Sequence, residues 1–393
     1  MKIVVVGGGS GGHITPVVAV VEEIWKIKPR ARIEFWTDSK FYPNVSKITA
    51  NMGFGIRVKK IVAGKFRRYA NFGFIDYLQH FDVVLKNIFD GFKIVVGAVQ
   101  SFFGLMAFRP DVIFLKGGYV GLPVGVAAWF LRIPYVIHDS DTVPGLTNRV
   151  LSGRAKAIAT GMPLENYNYA PEKAQWTGIP VVKGFSPVTK ARQKELKKEL
   201  GFDRERPLTV VTGGSLGALN INNAVREVLP QMLKFTNVLL IAGRERYPEM
   251  LDLKDYEVWE DGKLKTNFRM LKFSANIGEL FGAADVVVSR AGASTMTELA
   301  NMKKAVVMVP NHKLPGRHQV KNADMFARKK AAVVVLDSDM VNQSGLLLNA
   351  VKKLIKDEDL RLQMAKNLQE FARPDAAERL AKMVIAVGNE NEK

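Results

Sequence analysis

The sequence predicts two consecutive doubly wound α/β domains, each a parallel sheet with helices on both faces. Three observations predict it. Short apolar runs of strand length alternate with helix-like segments, the alternation halts in a proline-punctuated stretch and restarts, and glycine-rich loops recur where a strand run meets a helix run. At 393 residues the chain exceeds one ordinary domain.

Residues 2–6 (KIVVV) read as a buried strand, 15–27 as an apolar-rich helix and 32–36 (RIEFW) as the second strand. The runs 111–115 (DVIFL) and 134–137 (PYVI) continue the pattern. The most hydrophobic stretch, 94–108, is interrupted by Gln100 and is shorter than the ~18 residues a membrane-spanning helix needs, so a buried helix is expected there. Prolines then stand at 163, 171, 180, 187 and 207, and 188–200 (VTKARQKELKKEL) reads as a charged amphipathic helix, which places the interdomain connection here. Strands are expected again at 208–212, 237–242, 285–289, 305–309 and 332–336, with helices at 218–234, 344–356, 358–371 and 375–388. The expected division is 1–170, a connecting region 171–206, 207–370, and a final helix over 371–393 that packs back on the first domain. Ligands of such sheets lie at the carboxyl ends of the strands, so a cleft between two such domains is the expected site.

Composition narrows the function classes. Apolar residues at 47% and charged residues at 24% exclude a disordered chain. The absence of cysteine excludes disulfides, thiolate metal sites and a cysteine nucleophile, and is compatible with a reducing compartment. The apolar run after Lys2 is too short for a secretory signal. With 57 basic and 38 acidic residues the net charge is +19, which points to a polyanionic partner: nucleic acid, a phosphate-bearing substrate or anionic lipid. No recognised nucleic-acid-binding motif is present, and no nucleic acid is expected.

Three glycine-bearing loops sit between strand and helix: Gly7-Gly8-Gly9-Ser10-Gly11-Gly12-His13, Thr212-Gly213-Gly214-Ser215-Leu216-Gly217-Ala218 and Ser289-Arg290-Ala291-Gly292-Ala293-Ser294-Thr295. Glycine lets the backbone approach a phosphate, and the helix amino terminus offers free N–H groups and partial positive charge. Gly7, Gly9 and Gly12 satisfy G-x-G-x-x-G, with Asp38 near the end of the second strand, so an NAD-dependent oxidoreductase is a rival reading. Ser294 or Thr295 is a candidate cap for the helix carrying Glu298. His13, at a helix start, is a candidate base on a bound hydroxyl or a capping residue. Gln319 follows a loop at a strand end, where it can bond a polar ligand. Asp139-Ser140-Asp141 and Asp337-Ser338-Asp339 have the D-x-D form, but a divalent ion wants more ligands than two, so no fixed metal is expected.

Taken together, GGGSGGHITP, RPDVIFLKGGYVGLPVGVAAW, IPYVIHDSDTVPGLTNR, TGIPV, GGSLGA, ADVVVSRAGASTMTELA and HQVKNA resemble glycosyltransferase family 28, in that family's order and over nearly the whole chain. The resemblance implies a GT-B fold of two Rossmann-like domains. It implies inverting transfer of N-acetylglucosamine from UDP-N-acetylglucosamine to the C4 hydroxyl of the N-acetylmuramic acid of lipid I, an undecaprenyl-linked acceptor, giving lipid II for peptidoglycan. No cofactor is implied. On the donor side it assigns Ser215 to the diphosphate, Arg290, Gly292 and Ala293 to the lining, Glu298 to the ribose, His318 and Gln319 to the sugar ring and Phe273 to the uracil. Gly9, Ser10, Gly11, Gly12 and His13 fall at the acceptor diphosphate with Tyr119 nearby, and Ser10, Gly11 and Gly12 also fall within reach of the donor. His13, Asp139 and Asp141 are the catalytic candidates.

The chain departs from the family pattern where Asp141 replaces an asparagine, Val182 an arginine and Ile179 an asparagine. An ionised aspartate only accepts hydrogen bonds, so a relative with another UDP-sugar or lipid acceptor is the alternative. Docking on the cytoplasmic face of the cell membrane is implied as well. The segment with Lys65, Phe66, Arg67, Arg68, Tyr69, Phe72 and Phe74 interleaves cations with aromatics, as an anionic lipid surface favours.

Overall fold

The computed structural model describes residues 1–9, 11–66 and 81–391. They form two compact units, Met1–Val182 with Arg373–Lys393, and Lys183–Ala372. In the first unit the chain runs β1 (Lys2–Val6), α1 (Thr15–Ile27), β2 (Arg32–Thr37), α2 (Tyr42–Ala50), β3 (Arg57–Lys60), α3 (Phe81–Phe108), β4 (Val112–Leu115), α4 (Gly121–Leu131), β5 (Tyr135–Asp139), α5 (Leu146–Leu151), β6 (Ala157–Thr160) and β7 (Ala174–Trp176). The sheet order is β3-β2-β1-β4-β5-β6-β7, and every pairing is parallel. Strands covered on both faces read as continuous apolar runs, which is why KIVVV and VIFL are wholly or nearly wholly buried.

The second unit runs α6 (Lys190–Glu199), β8 (Leu208–Thr212), α7 (Leu219–Met232), β9 (Asn237–Ile241), the short β10 (Trp259–Glu260) and β11 (Lys263–Leu264), β12 (Phe268–Leu271), α8 (Ile277–Ala283), β13 (Val286–Ser289), α9 (Ala293–Asn301), β14 (Ala305–Met308), α10 (His318–Arg328), β15 (Val333–Val334), α11 (Asp337–Asn342), α12 (Gly345–Lys356) and α13 (Glu358–Gln369). Its sheet, β12-β9-β8-β13-β14-β15, is again parallel throughout. The last helix, α14 (Ala376–Asn391), belongs to the first unit, where Leu380, Ala381 and Val384 join Ile3, Val5 and Val17 in one core.

One expectation is narrowed and one is corrected. The chain passes from the first unit to the second at Val182–Lys183, inside 171–206, while β7 on one side completes the first sheet and α6 on the other is fixed to the second unit. Lys197 there pairs with Asp285 at 2.6 Å, and Gln193 Nε2 donates to the Ala284 carbonyl at 2.8 Å. The stretch 94–108 is helical but not a buried helix. It is the end of the 28-residue α3, which carries an apolar stripe on its outward face: Ile88 is 63%, Phe92 67% and Phe103 65% exposed. The face it buries carries Val83, Asp90, Gly97, Ser101 and Leu105. Small residues there allow close seating, since a Cβ on Gly97 would lie 1.9 Å from the Val62 carbonyl oxygen.

Candidate active site

In each sheet, successive connections leave the central pair, β1/β4 or β8/β13, in opposite directions, and the loops at their carboxyl ends are the ligand position of such folds. In the first unit these are the loops after β1, β4 and β5. Gly9 has φ +80°, and a Cβ there would come within 2.6 Å of the Tyr119 ring, so the loop is shaped to lie on Tyr119. Gly11 and Gly12 are exposed in a short turn that ends at His13, while Ser10 lies outside the described residues. The half-buried His13 ring approaches the β4 loop closely, as a Cβ on Gly118 would be 3.6 Å from its Nδ1. That Nδ1 is buried without a hydrogen-bond partner among the described residues. Desolvation, with the Lys116 ammonium as the next cause and Asp141 opposing, lowers the imidazole to about 4.

Asp139 is buried at the end of β5, where its carboxylate accepts from the Tyr169 hydroxyl and from the Gly145 amide at 3.1 Å. Desolvation pushes it up and those bonds oppose the rise. Asp139 is therefore engaged in holding the loop, and of the pair Asp141 is the half-buried one at the site. Asp38 accepts from the Tyr119 hydroxyl and from the Phe41 amide at 3.0 Å. The carboxylate that motivated the dinucleotide reading thus orients Tyr119 and starts α2. Lys116, which sequence reasoning passed over, is 1% exposed and donates to the Ser140 hydroxyl. Its signal was present: a lysine ending the apolar run VIFL directly before two glycines.

In the second unit a cavity of about 460 Å³ is lined by Gly213, Gly214, Ser215, Phe273, Arg290, Gly292, Thr295, Glu298 and Gln319. A polar hollow of about 320 Å³ shares Gly213, Arg290 and Gln319 and adds Arg246, Asn220 and Lys313. Gly217, at φ +94°, presses against the 242–243 backbone, where a Cβ would sit 2.2 Å from the Ala242 carbonyl oxygen. Helix α9, with Gly292 at its N-cap, opens onto the cavity and α7, with Ala218 at its N-cap, onto the smaller hollow, neither with a side-chain cap. Ser294 and Thr295 therefore lie in the first turn of α9 and do not cap it, contrary to expectation. Surface helices α6 and α13 do have caps, Thr189 and Asp357. Uncapped N–H groups at a cavity wall are an anion site.

Side chains complete that wall. Glu298 is half-buried, and desolvation alone pushes its carboxyl up to about 8. Arg290 donates to Asp337 and to the Val309 carbonyl at 3.2 Å, and Asn220 Nδ2 donates to the same Asp337 at 2.8 Å. Asp337 thus serves the arginine. Gln319 Oε1 accepts from the Asn311 amide at 2.9 Å, which leaves its NH2 for a ligand. Phe273 is stacked by the Arg244 guanidinium at 3.7 Å. Ala293 is buried in the first turn of α9, and His318 begins α10 without lining either hollow. A further hollow of about 550 Å³, between α2 and the amino end of β3, has no acidic or basic side chain in its lining.

Two parallel-sheet domains, each with a glycine loop at the switch of its sheet, define the GT-B class of glycosyltransferase. The glycosyltransferase family 28 N-terminal domain matches residues 3–160 and the family 28 C-terminal domain matches residues 208–380. The chain belongs to glycosyltransferase family 28. It is 32% identical over 389 residues, 98% of this chain and 100% of the relative, to the UDP-N-acetylglucosamine--N-acetylmuramyl-(pentapeptide) pyrophosphoryl-undecaprenol N-acetylglucosamine transferase of Thermoanaerobacter sp. strain X514. To the transferase 2 of that name from Bacillus cereus it is 31% identical over 369 residues, 91% of this chain and 93% of the relative. The crystal structure of Acinetobacter baumannii MurG shares the fold, with a TM-score of 0.73 and 24% identity over 98% of this chain and 99% of that one.

Proposed function

We propose that this chain transfers N-acetylglucosamine from UDP-N-acetylglucosamine to the C4 hydroxyl of the N-acetylmuramic acid of lipid I, with inversion, forming lipid II. The names of the relatives at 31–32% identity state both substrates. The observation that carries the reading is the cavity at the ends of β8 and β13, where the uncapped α9 terminus meets Glu298, Gln319 and Phe273, together with the adjoining hollow onto which the uncapped α7 terminus opens. In this reading Ser215 and the amides of the α7 and α9 termini hold the diphosphate, and they stabilise departing UDP as its charge grows. Glu298 takes the ribose hydroxyls, Phe273 covers the uracil, and Gln319 meets the sugar, while His318, which lines neither hollow, precedes it at the start of α10. Arg290, Gly292 and Ala293 shape the wall. His13 removes the acceptor proton, beside Gly9, Gly11, Gly12, Tyr119 and Asp141, and no resident cofactor is required. Calorimetry with UDP-N-acetylglucosamine tests the donor assignment: Glu298→Ala and Gln319→Ala weaken binding, and unchanged affinity in both removes it.

The same reading places the chain on the cytoplasmic face of the membrane as a peripheral protein, docked through α3. Leu85, Ile88, Phe89, Phe92, Val95, Val99, Phe103 and Met106 form one exposed stripe at helical spacing. The net charge of +19 suits anionic lipid. Asp82–Phe108 is long and apolar enough to cross a membrane by length and composition, but its opposite face is seated on α4 and the β3 end of the unit, which favours lying on the surface. Of the aromatic–cationic segment, Arg67, Arg68, Tyr69, Phe72 and Phe74 lie outside the described residues, while Phe66 is exposed beside Gly91 of α3. The variant F92S/F103S loses at least about a hundredfold in partitioning to anionic vesicles, given ~1.5–3 kcal/mol for each of two buried aromatics. Equal partitioning of variant and wild type sinks docking through α3.

A further inference from the structure

A buried lysine needs a reason. Removing an ammonium from water costs several kcal/mol, and a methionine of similar length fills the same space without that penalty. Lys116 lies at the end of β4, 1% exposed, with Nζ donating to the Ser140 hydroxyl. Ser140 stands between Asp139 and Asp141, so the ammonium reaches the segment that carries both carboxylates. The His13 ring reaches the same β4 loop from the β1 side, next to Gly118. Around this point the β1 loop contributes His13, the β4 end Lys116 and Tyr119, and the β5 end His138, Asp139 and Asp141, with Asp38 behind Tyr119. His138 is fully buried, with Nε2 on the Gly178 carbonyl oxygen at 2.9 Å.

We propose that Lys116 is a positioning residue of this site, its buried ammonium, held on Ser140 next to Asp141, acting with that carboxylate on the His13 imidazole that reaches the same β4 loop. Asp141 favours the imidazolium, and the lysine opposes it at rest, adding to the larger effect of burial that keeps the imidazole neutral and able to act as a base. When the imidazole takes the acceptor proton, Asp141 stabilises the cation that forms.

The electrostatics agree in sign at each partner. Desolvation and then Lys116 lower His13, while Asp141 raises it. Desolvation lowers Lys116 to about 8, while Asp139 and Asp141 raise it. His138 is driven well below its ordinary value by desolvation, with Lys116 next and His13 a smaller cause. Asp139 is raised by desolvation and is held mainly by Tyr169 and the Gly145 amide; both carboxylates raise the lysine, Asp139 the more, and of the two Asp141 is the one that acts on His13.

The effect on turnover rests on His13 as the acceptor-side base, but the effect on the imidazole itself does not. The test is therefore an NMR titration of the His13 ring in the full chain, assigned by its loss in His13→Gln. It is run on wild type, K116M, D141N and K116M/D141N, beside the pH profile of kcat/KM. The expected order of His13 pKa is K116M highest, then the double variant, then wild type, with D141N lowest. The K116M shift is roughly one pH unit. The acid limb of kcat/KM moves up with it, because activity falls as pH drops through the pKa of the base. A folded K116M whose His13 titrates as in wild type overturns the proposal, as does a double variant identical to K116M. Should K116M fail to fold, the double variant, which has no unbalanced carboxylate at 141, remains the arm, and a His13 pKa at or below wild type there overturns it. A shifted titration with an unmoved acid limb leaves Lys116 governing the ring and removes His13 as the base.

Discussion

At the strand ends of the first unit, burial and then the Lys116 ammonium lower His13 while Asp141 opposes them. At the strand ends of the second, desolvation alone shifts the carboxyl of Glu298. The first arrangement keeps the imidazole neutral at rest, as a group that must gain a proton during each turnover requires, with Asp141 placed to favour the cation. The second suits a group that must accept hydrogen bonds from neutral hydroxyls. Its carboxylate is poorly solvated until a ligand supplies donors.

The largest effect that sharpens this contrast is on turnover. His13→Ala lowers kcat on lipid I by about 10²- to 10⁴-fold while leaving donor affinity in place, and full turnover in that variant breaks the acceptor half of the comparison. Next is donor affinity. Glu298→Ala weakens UDP-N-acetylglucosamine binding by roughly 10- to 100-fold in calorimetry, the range for hydrogen bonds to a charged group.

A smaller effect follows from pH. With Glu298 at about 8 in the free protein and its ionised form taking the ribose, binding releases a proton, so affinity falls as pH drops below 8, by about tenfold per unit at most. A donor affinity flat between pH 6 and 9 contradicts the ribose role. The smallest effect is on stability. A folded carboxyl raised from 4.5 to about 8 binds more protons than the unfolded chain between those values. Its contribution to stability therefore declines as pH rises through that window and levels off above it. Accordingly, Glu298→Gln raises Tm by a few degrees at pH 8 or above and changes it little near pH 4.5. A Tm difference that is the same at both pH values removes desolvation as the cause.

What the sequence made legible was local. KIVVV, LTVVT and the helix 15–27 were readable to the residue because strands buried on both faces are unbroken apolar runs and Pro16 marks a helix start. Strands β3, β6 and β7 were not, since RVKK, AIAT and AQW are short and carry polar residues. For α3 the hydrophobicity was evident and the buried face was not. Counting apolar residues along 94–108 suggested burial, whereas Gly97, Ser101 and Leu105 define the seated side and Val95, Val99 and Phe103 point outward. The glycine loops of the site were visible for the same local reason. The partnerships of Lys116 with Ser140, and of Arg290 with Asp337, span 24 and 47 residues and depend on which strands lie side by side. Sheet order supplies that information.

The most direct measurement follows UDP release and lipid product when purified chain is mixed with UDP-N-acetylglucosamine and lipid I, with UDP-glucose and UDP-N-acetylgalactosamine in parallel. UDP released one-for-one with lipid II, and only from UDP-N-acetylglucosamine with lipid I present, is the predicted result. No lipid II, or faster transfer from another UDP-sugar, contradicts the account.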